Sequence, residues 1–276
     1  MAIITLTTDF GQKDHFVGAL KGSIYKELAD VKIVDISHGV SPFNIQECAY
    51  ILTNAYKNFP DGSIHIVGVD SEPTPENQHI AVLLDGHYFV TANNGVIGLL
   101  TSEINPEKVV EINIPNSIYG SFPVLDVFVK VACHLARGGM LEVVGKPFKQ
   151  LKELKDFVPT VTDNGTKIIG NVIYIDNYGN VVTNIQKKFF ETHRKGREFE
   201  LSARTTKIKQ IHNKYSDIIN FDLDKVNRKG AGDILALFNS SDYIELAIYK
   251  SNLNTVGGAS TLLGLDFRDT VSVNFF

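Results

Sequence analysis

The chain has 276 residues, 43% of them hydrophobic and 21% charged, with 27 Lys+Arg against 31 Asp+Glu for a net charge of −4. That composition supplies a sizeable core, excludes a disordered or collagen-like chain, and favours one large or two modest domains. The slightly acidic balance gives no electrostatic reason to expect nucleic acid or an anionic membrane as partner, so a small molecule is the expected ligand.

The opening segment MAIITLTTDFG has no basic leader, and no apolar run is long enough to span a bilayer, so a cytoplasmic protein is expected. Residues Ile3 to Thr7, Lys32 to Ile36 and Ile64 to Val69 are rich in β-branched side chains and read as buried strands. Between them, Phe16, Ala19, Leu20 and Ile24 recur on one helical face, as do Ile45, Cys48, Ala49, Leu52 and Tyr56. Ser41-Pro42 is expected to open the second helix as cap and first helical residue. Asp85-Gly86 marks a hairpin between Ile80–Leu84 and His87–Val90. A third helix carries Leu125, Phe128, Val129, Ala132 and Leu135 on one face and closes at Gly138-Gly139.

From about Lys146 to Lys167 the chain turns charged and turn-rich, which predicts a linker. Beyond it, Ile168–Ile175, Val181–Ile185, Glu198–Ser202, Ile234–Phe238, Tyr243–Tyr249 and Val271–Phe275 read as strands of a small antiparallel barrel or sandwich. The expected organisation is therefore an α/β domain with a mostly parallel sheet over 1–155 and a smaller all-β, barrel-like domain over 156–276. Cys48 and Cys133, the only cysteines, lie in apolar stretches and form neither a disulfide framework nor a zinc site of their own, which suits a reducing compartment.

Several polar positions could carry chemistry. Asp9 ends the first strand, where ligands of open α/β sheets bind; its carboxylate could accept two bonds from a ribose diol or simply cap the next helix. Asp14 could meet a ligand ammonium or interact with a helix dipole. Asp70 ends the third strand and leads into Ser71-Glu72-Pro73-Thr74-Pro75-Glu76-Asn77, a polar loop stiffened by two prolines. Asp70, Glu72 and Glu76 could suggest a divalent cation, but no diagnostic spacing accompanies them. His79 and His87 read as surface or strand histidines, and Asn93-Asn94-Gly95 as a left-handed turn. Phe43, Phe122 and Tyr178 are core residues or planes for a purine and a cation. Asp176-Asn177-Tyr178-Gly179-Asn180 is a hairpin loop whose Asn amides could also match an adenine edge, and Asn239-Ser240-Ser241-Asp242 is a turn or a set of donors for a carboxylate.

Seven segments in order, TLTTDFGQKDHFVGALKG, IVDISHGVSPFN, the strand ending in Asp70, GHYFVTANNGVIG, DVFVKVACHLARGG, VIYIDNYGNVVTNI and FNSSDYIELAI, resemble the S-adenosylmethionine (SAM) hydroxide adenosyltransferases, or adenosine-forming SAM hydrolases, and the related fluorinases and chlorinases. The resemblance spans nearly the whole chain. It implies a homotrimer that binds SAM between the N-terminal domain of one subunit and the C-terminal domain of its neighbour, with SAM as substrate and no cofactor or metal. Asp9 would then hold the ribose hydroxyls, and Asp14 with Asp176 the methionine ammonium. Phe43 would line the adenosyl pocket, Phe122 matches the substrate-site aromatic that neighbours the halide-pocket serine position, Tyr178 and Asn180 would contact adenine, and Ser240 with Ser241 would lie near the methionine carboxylate.

The reaction so implied is an in-line displacement at the ribose 5′ carbon, in which the protein aligns and desolvates the nucleophile. Asp70 matches the family acid beside the water. Asn77 stands at the family arginine position, Pro123 at the histidine and Leu125 at a further arginine; Ser71-Glu72-Pro73-Thr74 replaces the Pro-Gly-Val-Gly loop. Tyr119 is near enough in sequence to substitute for a missing partner. The expected function is hydrolysis of SAM to adenosine and methionine with Asp70 and Asn77 at the water. Alternatives are a SAM- or adenosine-binding protein without turnover, a halogenase, which Val124 at the halide-pocket serine position disfavours, and a metal-dependent hydrolase using Asp70, Glu72 and Glu76.

Overall fold

A computed structural model describes residues 2–101, 104–114, 120–154, 158–228, 230 and 232–276. The chain divides into two compact units, Met1–Asp156 and Phe157–Phe276. No helix among the described residues is long and apolar enough to cross a membrane.

The first unit runs β1 (Ile3–Thr8), α1 (Phe16–Glu27), β2 (Lys32–Ser37), α2 (Ile45–Tyr56), β3 (Ile64–Gly68), β4 (His79–Leu84), β5 (His87–Ala92), α3 (Val96–Leu100), β6 (Lys108–Ile112), α4 (Val129–Ala136) and β7 (Gly145–Pro147). Its seven strands are ordered β2-β1-β3-β5-β4-β6-β7. The first four in that order pair in parallel and the remaining three pair antiparallel, so parallel pairing belongs to the N-terminal half of the sheet. Because β2 lies on one side of β1 and β3 on the other, the order reverses at β1. Open α/β sheets bind ligands at the carboxyl ends of the strands beside such a reversal, here the ends of β1 and β3.

Side-chain alternation fills both faces of this sheet. Ile4, Leu6, Ile64 and Ile66 pack with Leu20 and Ile24 of α1 and with Phe128, Val131 and Ala132. Val67, Ile80, Val82 and Phe89 pack with Cys48, Leu52 and Tyr56 of α2 and with Val96 and Ile97 of α3.

Four features differ from the sequence reading. The Lys32–Ile36 strand is not buried: β2 has one neighbour, its Lys32 and Asp35 face solvent, and Val34 is 37% exposed. On α1, Val17 is buried and Phe16 is not. Ser41-Pro42 does not begin α2, because Phe43 adopts a left-handed φ of 61° and breaks the helical run. Asn44 is the cap instead, its Oδ1 accepting from Glu47 N at 3.1 Å while Glu47 Oε2 accepts from Ser41 N at 3.0 Å. Finally, the third helix begins with a π-helical turn at Val124–Phe128, in which Val129 N donates to the Val124 carbonyl. The wider turn rotates the expected face, so Val124 and Val127 are buried and Leu125 is only half-buried. The Asp85-Gly86 hairpin forms where expected, with both residues left-handed as its turn requires (φ 52° and 73°).

The second unit runs β8 (Thr160–Thr162), β9 (Lys167–Ile175), β10 (Val181–Gln186), α5 (Lys187–Arg194), β11 (Phe199–Ala203), β12 (Thr206–Ile208), β13 (Ile211–His212), β14 (Ile234–Phe238), β15 (Tyr243–Ile248), α6 (Ala259–Leu263) and β16 (Thr270–Phe275). Nine strands make a barrel-like sheet, antiparallel except for the β13–β14 pair. All six expected strands are present. Helix α5 has no counterpart in the sequence reading: its buried Phe190 meets Phe199, Phe238 and Phe275 in one aromatic cluster.

Candidate active site

Three chain ends converge on Asp9, which follows β1. The Phe43 amide, from the β2–α2 connection, donates to Asp9 Oδ2 at 3.0 Å, and the Asp70 backbone, just beyond β3, comes near enough to the same carboxylate to favour its charged form. Phe43 and Asp70 both have positive φ, 61° and 45°. Such conformations cost about 1–3 kcal/mol per residue and persist where surrounding structure enforces them, and at Phe43 the turn aims an amide at the Asp9 carboxylate. Burial pushes the Asp9 carboxyl above its ordinary value, the backbone contacts pull it back, and the neighbouring Asp70 charge raises it again. Asp9 and Asp70 are thus two carboxylates at the ends of the paired strands β1 and β3, close enough to influence each other electrostatically.

The turn that carries Asp70 is held carbonyl by carbonyl. Asn94 Nδ2 donates to Val69 O at 2.8 Å and Asp70 O at 3.3 Å; Asn77 Nδ2 donates to Asp70 O at 3.1 Å and Glu72 O at 3.0 Å; His79 Nε2 lies 2.9 Å from Ser71 O. These bonds run through the backbone, and the Asp70 carboxylate takes no part in them. Asn94, His79 and Asn77 are all buried, and of the surface and strand readings of the histidines the strand one holds, His79 opening β4 and His87 opening β5. Asn94 also accepts from Val96 N at 3.0 Å, tying the loop to the start of α3. Its replacement by Ala strips donors from two buried carbonyls and is expected to lower stability by about 1–3 kcal/mol, read from urea unfolding; a loss smaller than about 0.5 kcal/mol would contradict the account.

Around these acids, Phe10 packs edge-on against Phe122 at 5.4 Å, and Phe16 meets both rings, at 5.8 and 5.3 Å. Gly68 lets that wall close on the strand end: a Cβ there would lie 3.0 Å from Val124 Cγ2 and 3.3 Å from the Phe10 ring. Phe43 is 73% exposed, a large apolar ring presented beside the Asp9 amide contact. Asp14 is exposed in the bend before α1, and Pro123 is buried at the start of the π-helical turn. Tyr119 lies outside the described residues. Glu72 and Glu76 are exposed, and among the described residues no three His, Cys, Asp or Glu side chains converge as a metal-binding set.

In the second unit, Asp176 organises its own hairpin. Its Oδ1 accepts from Tyr178 N at 2.8 Å and Asn180 N at 2.9 Å, and its Oδ2 from Asn180 Nδ2 at 2.9 Å, leaving the Tyr178 ring 64% exposed. Asn239 shapes the other loop by accepting from Ser241 N at 3.0 Å and Tyr243 N at 3.1 Å, with Ser240 exposed at the tip. Glu245 escaped the sequence reading. It is a buried carboxylate on β15 that accepts from Tyr215 Oη at 2.6 Å; burial pushes it above its ordinary value, Tyr215 and Asn239 oppose, and the Asp176 charge adds to the rise. Alternation in YIELAI puts Glu245 on the face opposite the core residues Ile244, Leu246 and Ile248, beside Ala247, so the pattern gives no signal of its burial.

The signature of the SAM hydroxide adenosyltransferase N-terminal domain matches residues 4–145, and that of the C-terminal domain of the same family matches residues 170–272. The chain belongs to this family. It is 29% identical to a protein of Methanocaldococcus jannaschii named (R)-S-adenosyl-L-methionine hydrolase, over 98% of this chain and 95% of that one. It is 24% identical to the fluorinase of Actinopolyspora mzabensis, over 91% of this chain and 92% of that one. A crystal structure of an uncharacterized conserved protein from Thermotoga maritima matches with a TM-score of 0.81 at 27% identity, over 99% of this chain and 100% of that one. The two signatures fall one on each compact unit, so both units are those of a SAM hydroxide adenosyltransferase.

Proposed function

We propose that the protein hydrolyses S-adenosyl-L-methionine to adenosine and L-methionine by in-line attack of water on the ribose C5′. The observation that carries this reading is the pairing of Asp9 and Asp70 at the carboxyl ends of β1 and β3 in a chain of the SAM hydroxide adenosyltransferase family. Two adjacent carboxylates favour a cationic sulfonium substrate by simple charge attraction. Asp9, held by the Phe43 amide, keeps lone pairs for the vicinal ribose hydroxyls.

The chemistry balances without a cofactor. Water oxygen forms a bond to C5′, the C5′–S bond breaks with its electron pair on sulfur, and the water's proton passes through the Asp70 carboxylate to solvent. Methionine leaves as a neutral thioether and needs no acid, so positioning and desolvating the water carry the rate. Asn77 spends its amide on the loop carbonyls. We assign it to keeping Asp70 aimed. Phe43 and Phe122 would flank the adenosyl group, and Asp14 would meet the substrate ammonium. Asp176, Tyr178, Asn180, Ser240 and Ser241 would be supplied to that site by a neighbouring subunit of a homotrimer. Two buried free thiols suit a cytoplasmic setting.

The test is incubation with SAM in H₂¹⁸O. Adenosine and methionine are expected in equal amounts above spontaneous decay, with the label in the adenosine 5′-hydroxyl. Label elsewhere, or no excess product, rejects hydrolysis. SAM binding without product would favour a second reading, a nucleoside-binding protein, which Asn77 and Pro123 at the family's Arg and His positions motivate.

A further inference from the structure

One relay of side chains, buried at its His38–Thr8 end and open to solvent at its Lys21–Asp35 end, lies beside the site and has no part in the reaction above. Lys21 Nζ donates to Asp35 Oδ2 at 2.6 Å, Asp35 Oδ1 lies 3.2 Å from His38 Nε2, and His38 Nδ1 lies 2.8 Å from Thr8 Oγ1. His38 and Thr8 are buried, and Thr8 immediately precedes Asp9. His38 also acts through its backbone: its carbonyl accepts from Gly11 N at 2.8 Å. The Thr8 hydroxyl in turn accepts from Phe10 N at 3.4 Å. Residues 8, 10 and 11 are thereby fixed, directly or through Thr8, to one imidazole-bearing residue on the neighbouring segment, with Asp9 in the middle.

We propose that His38, oriented by Asp35 and working through the Thr8 hydroxyl, is a positioning residue that sets the direction of the Asp9 carboxylate and so the affinity for the ribose diol. This rests on the reading of Asp9 as the ribose acid. Asp35 Oδ1 approaches Nε2 at 3.2 Å without the alignment of a hydrogen bond, so its hold on the ring is electrostatic; it favours the tautomer with the proton on Nε2, in which Nδ1 accepts the Thr8 hydroxyl proton. Thr8 Oγ1 then has its lone pairs for the Phe10 amide, so both Thr8 contacts have a donor and an acceptor of the right kind. Asp35 has the charge this role needs: partial burial raises its carboxyl, but Lys21 and His38 outweigh that and hold it below its ordinary value, ionised. The order carboxylate–imidazole–hydroxyl is that of a nucleophilic triad, yet Thr8 Oγ1 is wholly buried and bonded to the backbone, so it orients rather than attacks.

A carboxylate that grips the ribose does so in ground and transition states alike, and loosening it raises KM with little change in kcat. Thr8→Val keeps the shape and removes the hydroxyl, while Thr8→Ser keeps the hydroxyl. Thr8→Val is expected to raise the KM for SAM and the Kd for adenosine by about tenfold, the worth of one hydrogen bond, with kcat within about threefold; Thr8→Ser is expected to stay within about twofold of the parent in all three. Parental KM and Kd in Thr8→Val, or equal losses in both variants, overturn the proposal. Should Thr8→Val fail to fold, Asp35→Asn at the solvent end of the relay decides: raised constants support the proposal and parental ones overturn it. Adenosine calorimetry on the unmodified protein separates the two readings. Binding without SAM turnover defeats hydrolysis alone, and absence of adenosine binding defeats both.

Discussion

Asp70→Asn is expected to slow SAM hydrolysis by about 10²–10⁴ while leaving adenosine affinity close to that of the parent. Asparagine is the informative replacement because residue 70 has φ 45°, a conformation that Asn tolerates and Ala does not. The backbone bonds from Asn77 and Asn94, and the residue-70 backbone that supports Asp9, survive the change. What is lost is the one group placed to accept the water's proton. Removing that charge also removes the repulsion that lifts the Asp9 carboxyl, so Asp9 should titrate at lower pH in the variant. Single-turnover release of adenosine, with calorimetry alongside, measures both quantities. A variant retaining more than about a tenth of the parental rate would show that Asp70 is not the group that handles the water.

The weight on Asp70 follows from what surrounds it. On the proposed reading, the residues at the positions where the resemblance implies an Arg and a His are Asn77, whose amide is committed to two carbonyls, and the buried Pro123. Neither can stabilise a developing hydroxide electrostatically, so positional control is the remaining source of rate. The structure provides that control through Asn77, Asn94 and His79, which grip four successive carbonyls from Val69 to Glu72. A rigid turn carrying one carboxylate is what a base-poor site with a good leaving group needs.

The elements that were legible in the sequence are those whose signal is local. Asp85-Gly86 specified its hairpin because two adjacent left-handed residues are a short-range requirement. Asp9 and Asp70 were legible as strand-end acids because parallel strands put their carboxyl ends on one edge. Their adjacency, by contrast, depends on β3 pairing beside β1, across from β2, a tertiary fact. The same holds for β2: its β-branched content reads as burial, and its place at the sheet edge overrides that. Ser41-Pro42 looked like a cap because the pattern carries no trace of the Phe43 kink that directs an amide at Asp9. Asn94 read as a turn residue, which it is, while its bond to a carbonyl 25 positions earlier left no mark in the sequence.

Acid should destabilise the first unit through a group far from chemistry. His65 on β3 is wholly buried: its Nδ1 lies 2.7 Å from Thr5 Oγ1, its Nε2 lies 3.2 Å from His87 Nδ1, and its ring stacks on Phe89 at 4.8 Å. Burial, aided by the His87 charge, pulls its pKa from 6.5 down to about 3. The folded state therefore binds fewer protons than the unfolded chain between those values. Stability is full above the unfolded value and falls as pH drops towards the folded one, by about 5 kcal/mol at the limit. His65→Gln keeps a donor and an acceptor but cannot be protonated, so its urea midpoint should fall less steeply with acid than the parent's, whatever its stability at neutral pH. Asp9 and Glu245, raised in the folded state, push the other way as pH falls, but they are shared by both proteins and cancel in the comparison. Parallel curves for the two proteins from about pH 7 to about pH 4 would mean that His65 is protonated within the fold, with the Thr5–His65–His87 contact opening to admit the charge.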